Sequence, residues 1–80
     1  MREFVVFSRR GCHLCHEMLE QLEPLCRGRA NLSVEDIDTR PEWVAAYSLK
    51  IPVLVVDGQE LCHYQLDREK VIKLLFAEQE

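Results

Sequence analysis

Cys12 and Cys15, two thiols with two residues between them, are the side chains of this sequence best suited to do chemistry. If a helix begins at this point, Cys12 stands at or near its N-cap with its sulfur facing unpaired backbone N–H groups. Cys15 then lies almost a full turn further in. The outer thiol is therefore set to ionise. The helix macrodipole, the N–H donors and nearby cations all favour thiolate, so Cys12 is expected to titrate below the free-thiol pKa of about 8.5. Arg9 and Arg10 supply those cations, and a protonated His13 supplies a third. Thiol–disulfide exchange needs an accessible thiolate and a second thiol close enough to displace the mixed disulfide, and this spacing offers both.

Other chemistries share these residues. Cys12-His13-Leu14-Cys15-His16 matches the C-x-x-C-H haem-attachment pattern, with His16 as the axial ligand. That use needs an exported and mostly helical protein, and nothing in the chain indicates either. Zinc could take Cys12 and Cys15 together with His16, or with Cys62 and His63, although the latter pair lacks the usual C-x-x-C spacing. Four cysteines also admit two structural disulfides in three connectivities, against which stand regular hydrophobic periodicity and the lack of an export signal. Cys26 falls roughly 16 Å along a helix from Cys15, beyond the limit of about 7 Å for paired Cα atoms, and reads as core. Cys62 reads as a packed strand thiol, with a third redox or ligand thiol as the alternative.

The elements that must position the pair follow from the chain around it. Eighty residues, 48% of them hydrophobic, make one domain spanning 1–80 with a single core. A net charge of −4, with no basic run longer than Arg9-Arg10, argues against general nucleic-acid binding. No stretch of eighteen apolar residues could cross a membrane, and Met1-Arg2-Glu3-Phe4 lacks the apolar core of a signal peptide. A soluble, cytoplasmic, monomeric protein is expected.

Phe4-Val5-Val6-Phe7 reads as a central strand buried on both faces, feeding directly into the thiol turn. Apolar residues at 15, 18, 19, 22, 25 and 26 have helical spacing and put Cys15 at the head of the buried stripe, with Pro24 expected to kink or end the helix and Gly28 as its C-terminal stop. Leu32 to Asp38 reads as a strand near a sheet edge. Thr39-Arg40-Pro41-Glu42 predicts a capping box opening a short helix through Trp43 and Tyr47, whose rings should pack on the sheet. Val53 to Val56 is a third strand, and Asp57-Gly58 predicts a tight hairpin into a fourth, Gln59 to His63. Asp67 caps a last helix with Leu66 and Val71 as its staple. The order is βαβαββα, an α/β fold with a four-stranded mixed sheet and three flanking helices.

Phe7-Ser8-Arg9-Arg10-Gly11-Cys12-His13-Leu14-Cys15 resembles the aromatic-Ser-Lys-x-Gly-Cys-Pro-Tyr-Cys stretch of glutaredoxins, and Ile51-Pro52-Val53 resembles the cis-proline segment of the thioredoxin superfamily. The likeness spans nearly the whole chain and is closest to small bacterial glutaredoxin-like domains. It implies a thioredoxin fold, Cys12 as nucleophile, Cys15 as resolving thiol and Arg9 as the basic residue before the nucleophile. Pro52 would be the cis-proline facing Cys12, and the backbone of Ile51 would pair with bound substrate. Lys50-Ile51 and Cys62-His63 stand where glutaredoxins carry Thr-Val and Gly-Gly, and without those glycines close backbone approach to a ligand is harder. Thioredoxin's Trp and buried acid correspond here to Gly11 and Val6, so the chain mixes two patterns.

The expected activity is that of a dithiol–disulfide oxidoreductase or electron carrier with no tightly bound cofactor. Its substrates would be protein or small-thiol disulfides, and glutathione or a flavoprotein reductase would recharge it. The alternative is a binding module holding zinc or an iron–sulfur centre through the same thiols, or a peptide at Ile51-Pro52, without turnover.

Overall fold

The structure, a computed structural model, describes residues 1–76. A run that is apolar on both faces needs cover on both, and Phe4-Val5-Val6-Phe7 accordingly forms the middle of a central strand, β1 (Arg2–Ser8). β2 (Ala30–Asp36) lies at one edge beside β1; β3 (Val53–Val56) flanks β1 on its other side, and β4 (Gln59–His63) is the far edge. The crossover through α1 (His13–Cys26) makes β2 parallel to β1, whereas β3 runs antiparallel to β1 and β4 antiparallel to β3. The β3–β4 turn is Asp57-Gly58, at φ 50° and 86°, the left-handed pair that a two-residue hairpin demands.

Alternation along β1 divides the interior into two layers. Phe4 and Val6 meet Met18, Leu22 and Cys26 of α1 and Val71 and Leu75 of α3 (Arg68–Phe76). On the opposite face Phe7, Ile37 and Val53 are covered by α2 (Pro41–Tyr47), with the Phe7 ring 5.1 Å from Trp43 edge-on and 4.5 Å from Tyr47 in a stack. No polar or charged side chain is buried among the described residues. Nor is any described helix long and apolar enough to cross a membrane.

Two local expectations are refined and a third holds. The capping box at Thr39-Glu42 does not form. A 3₁₀ turn over Ile37–Thr39 leaves Arg40 as the residue before α2, without a side-chain cap, and Thr39 Oγ1 donates to Asp36 O at 2.7 Å instead. Pro41 does take the first helical position. Pro24 lies inside α1 and does not end it; the helix runs on to Cys26, and Gly28, at φ 75°, makes the left-handed turn beyond. Asp67 Oδ1 accepts the Lys70 N–H at 3.2 Å at the head of α3, as its position suggested.

Candidate functional site

Strand register gathers four segments at one end of the sheet. Ser8 pairs with Asp36, Phe7 with Val53 and Val53 with His63, so the residues following β1, following β2, preceding β3 and following β4 share that end. The thiol turn leaves β1 there. Gly11 sits at φ 79°, a conformation that L side chains rarely adopt, and the reversal is closed by the Cys12 N–H donating to Arg9 O at 3.2 Å.

Cys12 is the N-cap of α1, with φ −88° and ψ 106°, and its Sγ accepts the Cys15 N–H at 3.1 Å. The sulfur thus occupies the position that a serine or aspartate oxygen usually fills. Cys12 and Cys15 are joined as a disulfide with Cα atoms 5.3 Å apart, a separation that needs no backbone distortion. Cys12 is half-buried, while Cys15 retains 3% of its surface and heads the apolar stripe of α1. A shallow depression of about 410 Å³ opens onto the pair, lined by Ser8, Arg9, Gly11, His13, His16 and Leu19 as well.

Arg9 lines this depression, but its guanidinium is engaged. Nε reaches Asp38 Oδ2 at 3.1 Å and Nη2 reaches Oδ1 at 2.9 Å, a side-on bidentate pair. His13 is exposed, with Nε2 3.3 Å from Glu17 Oε2, and His16 stands 3.8 Å from Glu20. Pro52 is buried and follows a cis peptide bond from Ile51. Its carbonyl accepts the Tyr64 N–H at 2.9 Å, and the Tyr64 hydroxyl donates to Leu49 O at 2.5 Å. One residue of the β4–α3 connection therefore holds both ends of the segment 49–52. Ile51 packs half-buried in the α2-side layer. Between the thiol helix and Tyr64 lies a second cavity of about 200 Å³, walled by Leu14, Met18, Tyr64 and Leu66, with Glu17 and Gln21 among its polar lining.

The other two thiols lie elsewhere. Burial pushes the Cys26 thiol above its ordinary pKa, with Glu23 adding to the effect. Burial also raises Cys62, which sits half-buried on β4 opposite Leu54. Both are favoured as neutral thiols and are poor nucleophiles on that account. Among the described residues no group of three or more His, Cys, Asp or Glu side chains converges as a metal site would require.

Sequence reasoning missed Asp36, Asp38 and Tyr64. Asp36 Oδ1 accepts the Asp38 N–H at 2.9 Å, an Asx turn that delivers the Asp38 carboxylate to Arg9. The signal was present in Asp36-Ile37-Asp38-Thr39, a turn-forming cluster directly after a strand. Tyr64 has φ 65°, which the residue type does not announce.

The family model of the glutaredoxin-like domain (DUF836) matches residues 3–76. The solution NMR structure of protein Ne2328 from Nitrosomonas europaea is 38% identical, covering 92% of this chain and 91% of that one with a TM-score of 0.82. A mutant thioredoxin from Halobacterium salinarum is 21% identical over 99% of this chain and 75% of its own, with a TM-score of 0.67. Thioredoxin of Fasciola hepatica is 23% identical over 90% and 79%, with a TM-score of 0.64. These two likenesses speak to the fold, and the fold is thioredoxin-like. No curated protein matches the sequence.

Proposed function

The chain belongs to the glutaredoxin-like (DUF836) domain family, and on that footing we propose that it is a dithiol–disulfide oxidoreductase acting through Cys12 and Cys15 on protein or low-molecular-weight disulfides. The observation that supports this best is the inequality of the pair: Cys12 caps the helix with its sulfur on a backbone N–H and partly open to solvent, and Cys15 is buried behind it. An N–H donor and the positive end of a helix stabilise a thiolate far better than a thiol.

In the proposed cycle the Cys12 thiolate attacks one sulfur of the substrate disulfide. A Cys12–substrate bond forms, and the other substrate sulfur leaves as thiolate and takes a proton from solvent. Cys15 then gives up its proton and attacks Cys12 Sγ, expelling the second substrate sulfur and forming the Cys12–Cys15 bond. The substrate has gained two electrons and the protein has lost them. Two equivalents of a thiol, as glutathione or a reductase dithiol, return the pair to its reduced form. Arg9 and His13 tune the charge around Cys12, and Ile51, ahead of the cis bond to Pro52, offers backbone to an extended substrate. The working form is a cytoplasmic monomer without a resident cofactor.

Reduction of insulin or of a glutathione mixed disulfide, with dithiothreitol as the final donor, tests the reading. Wild type is expected to accelerate the reaction and Cys12→Ser to fall to the uncatalysed rate, whereas Cys15→Ser should accumulate a mixed disulfide visible by mass. Equal rates for wild type and Cys12→Ser would overturn it.

A further inference from the structure

We propose that Asp38 is a positioning residue for the exchange reaction, setting the charge felt by Cys12 through its hold on Arg9. The inference rests on the reading of Cys12 as the reactive thiol, and three observations carry it. Asp38 takes Arg9 side-on through both its oxygens, at 3.1 and 2.9 Å. Arg9 is tied to Cys12 by the main chain, since its carbonyl accepts the Cys12 N–H at 3.2 Å, and both residues line the same depression. Asp38 is itself fixed: Ile37 before it is fully buried, the Asp36 carboxylate holds its N–H at 2.9 Å, and Thr39 after it donates to Asp36 O at 2.7 Å.

A carboxylate placed this firmly does two things to the arginine. It gives the guanidinium one orientation among the many an exposed side chain samples, and it supplies a compensating negative charge, so that the turn presents Cys12 with a near-neutral pair in place of a lone cation. The other charged groups facing the thiol turn act around this pair: Arg10, exposed beside it, and His13 and His16, each beside a glutamate one turn further along α1. Neutralising Arg9 raises the fraction of Cys12 held as thiol and makes the disulfide less oxidising, because the reduced form loses stabilisation.

The pair is half-exposed, with side-chain exposures of 36% for Arg9 and 51% for Asp38, so it contributes little to folding stability. Its effect belongs in reactivity. Removing either partner leaves the other charge uncompensated, and the two removals act with opposite sign. Asp38→Asn frees the cation and Arg9→Gln frees the anion.

The experiment measures the pH dependence of Cys12 alkylation by iodoacetamide in a Cys15→Ser background, with the modified residue identified by peptide mass so that Cys26 and Cys62 do not contribute. Asp38→Asn is expected to lower the Cys12 midpoint by about half a pH unit and Arg9→Gln to raise it by about as much, the size expected of one nearby unit charge screened by water. The double variant should return near the parent value, Asp38→Glu should rescue, and the shifts should shrink as salt is added. Shifts of the same sign in both single variants, or none in either, would overturn the proposal in favour of a merely structural contact. Because the readout needs no substrate, it stands or falls separately from oxidoreductase turnover.

Discussion

Ahead of the central residues of β1, Arg2 Nη1 meets Asp57 Oδ2 at 2.9 Å; just past the strand's other end, Arg9 Nη2 meets Asp38 Oδ1 at the same 2.9 Å. Residue types and that contact length are alike, but Asp57 meets Arg2 through one oxygen and keeps the other for the backbone, whereas Asp38 grips its arginine with both. Asp57 occupies the hairpin turn at φ 50°, and its second oxygen accepts the Glu3 N–H at 2.8 Å, so it fastens the turn to the central strand. That N–H holds its carboxyl below the ordinary aspartate range, against the opposing effect of desolvation and with smaller help from Arg2 and the N-terminal charge. Asp38 gives both oxygens to a guanidinium whose own backbone carbonyl carries the thiol turn. An exposed ion pair contributes little to stability by itself. The same pair is thus an anchor at one end of the sheet and an electrostatic adjustment at the other, according to the group it is attached to.

The comparison is broken most forcefully in the cores behind each end. Ile37 and Leu22 are both fully buried, and each truncation to alanine is expected to cost about 2–5 kcal/mol in urea denaturation. Only Ile37→Ala should also change the Cys12 alkylation rate, because Ile37 seats the turn that carries Asp38. A Leu22→Ala variant with equally altered Cys12 reactivity would show that the thiol responds to global loosening and not to that turn. A smaller effect is expected from Asp57→Ala, which loses a side chain tolerant of positive φ along with its bond to Glu3. The urea midpoint should fall while Cys12 reactivity stays at the parent value, the reverse of Asp38→Asn. An unchanged midpoint would remove the distinction between the two ends.

The sequence made the framework readable because its signals are local. Four consecutive apolar residues announce the central strand, the spacing of Cys15, Met18, Leu22 and Cys26 announces the buried face of α1, and Asp57-Gly58 announces the hairpin. The helix start at Cys12 was legible for the same reason. Arg9's partner was not, since the pairing depends on the parallel register of Ser8 with Asp36, which nothing near Arg9 encodes. Thr39-Arg40-Pro41-Glu42 misled because a 3₁₀ turn inserted after β2 moved the threonine off the capping position. The cis bond at Pro52 was expected from family likeness, as only about 5–6% of X–Pro bonds in folded proteins are cis. Tyr64's clasp on residues 49–52 joins two loops that no local pattern links.

The slightest effect, and the one that sharpens the account of Asp57, comes from Asp57→Asn followed against pH. Asparagine tolerates the turn conformation and keeps an oxygen for the Glu3 N–H, so the change removes little besides charge. With the folded-state pKa below the unfolded one, the unfolded chain binds more protons as pH falls through this range. The stability carried by the charged form is therefore complete above the unfolded value, about 3.9, and is lost as pH falls through the lower folded one. Wild type should exceed Asp57→Asn in urea midpoint at pH 7, with the gap narrowing below about pH 4. An Arg2→Gln background separates the two causes. A gap that survives there belongs to the contact with the Glu3 N–H. A gap that disappears there belongs to Arg2, and the two arginine–aspartate pairs would then be more alike than their surroundings indicate.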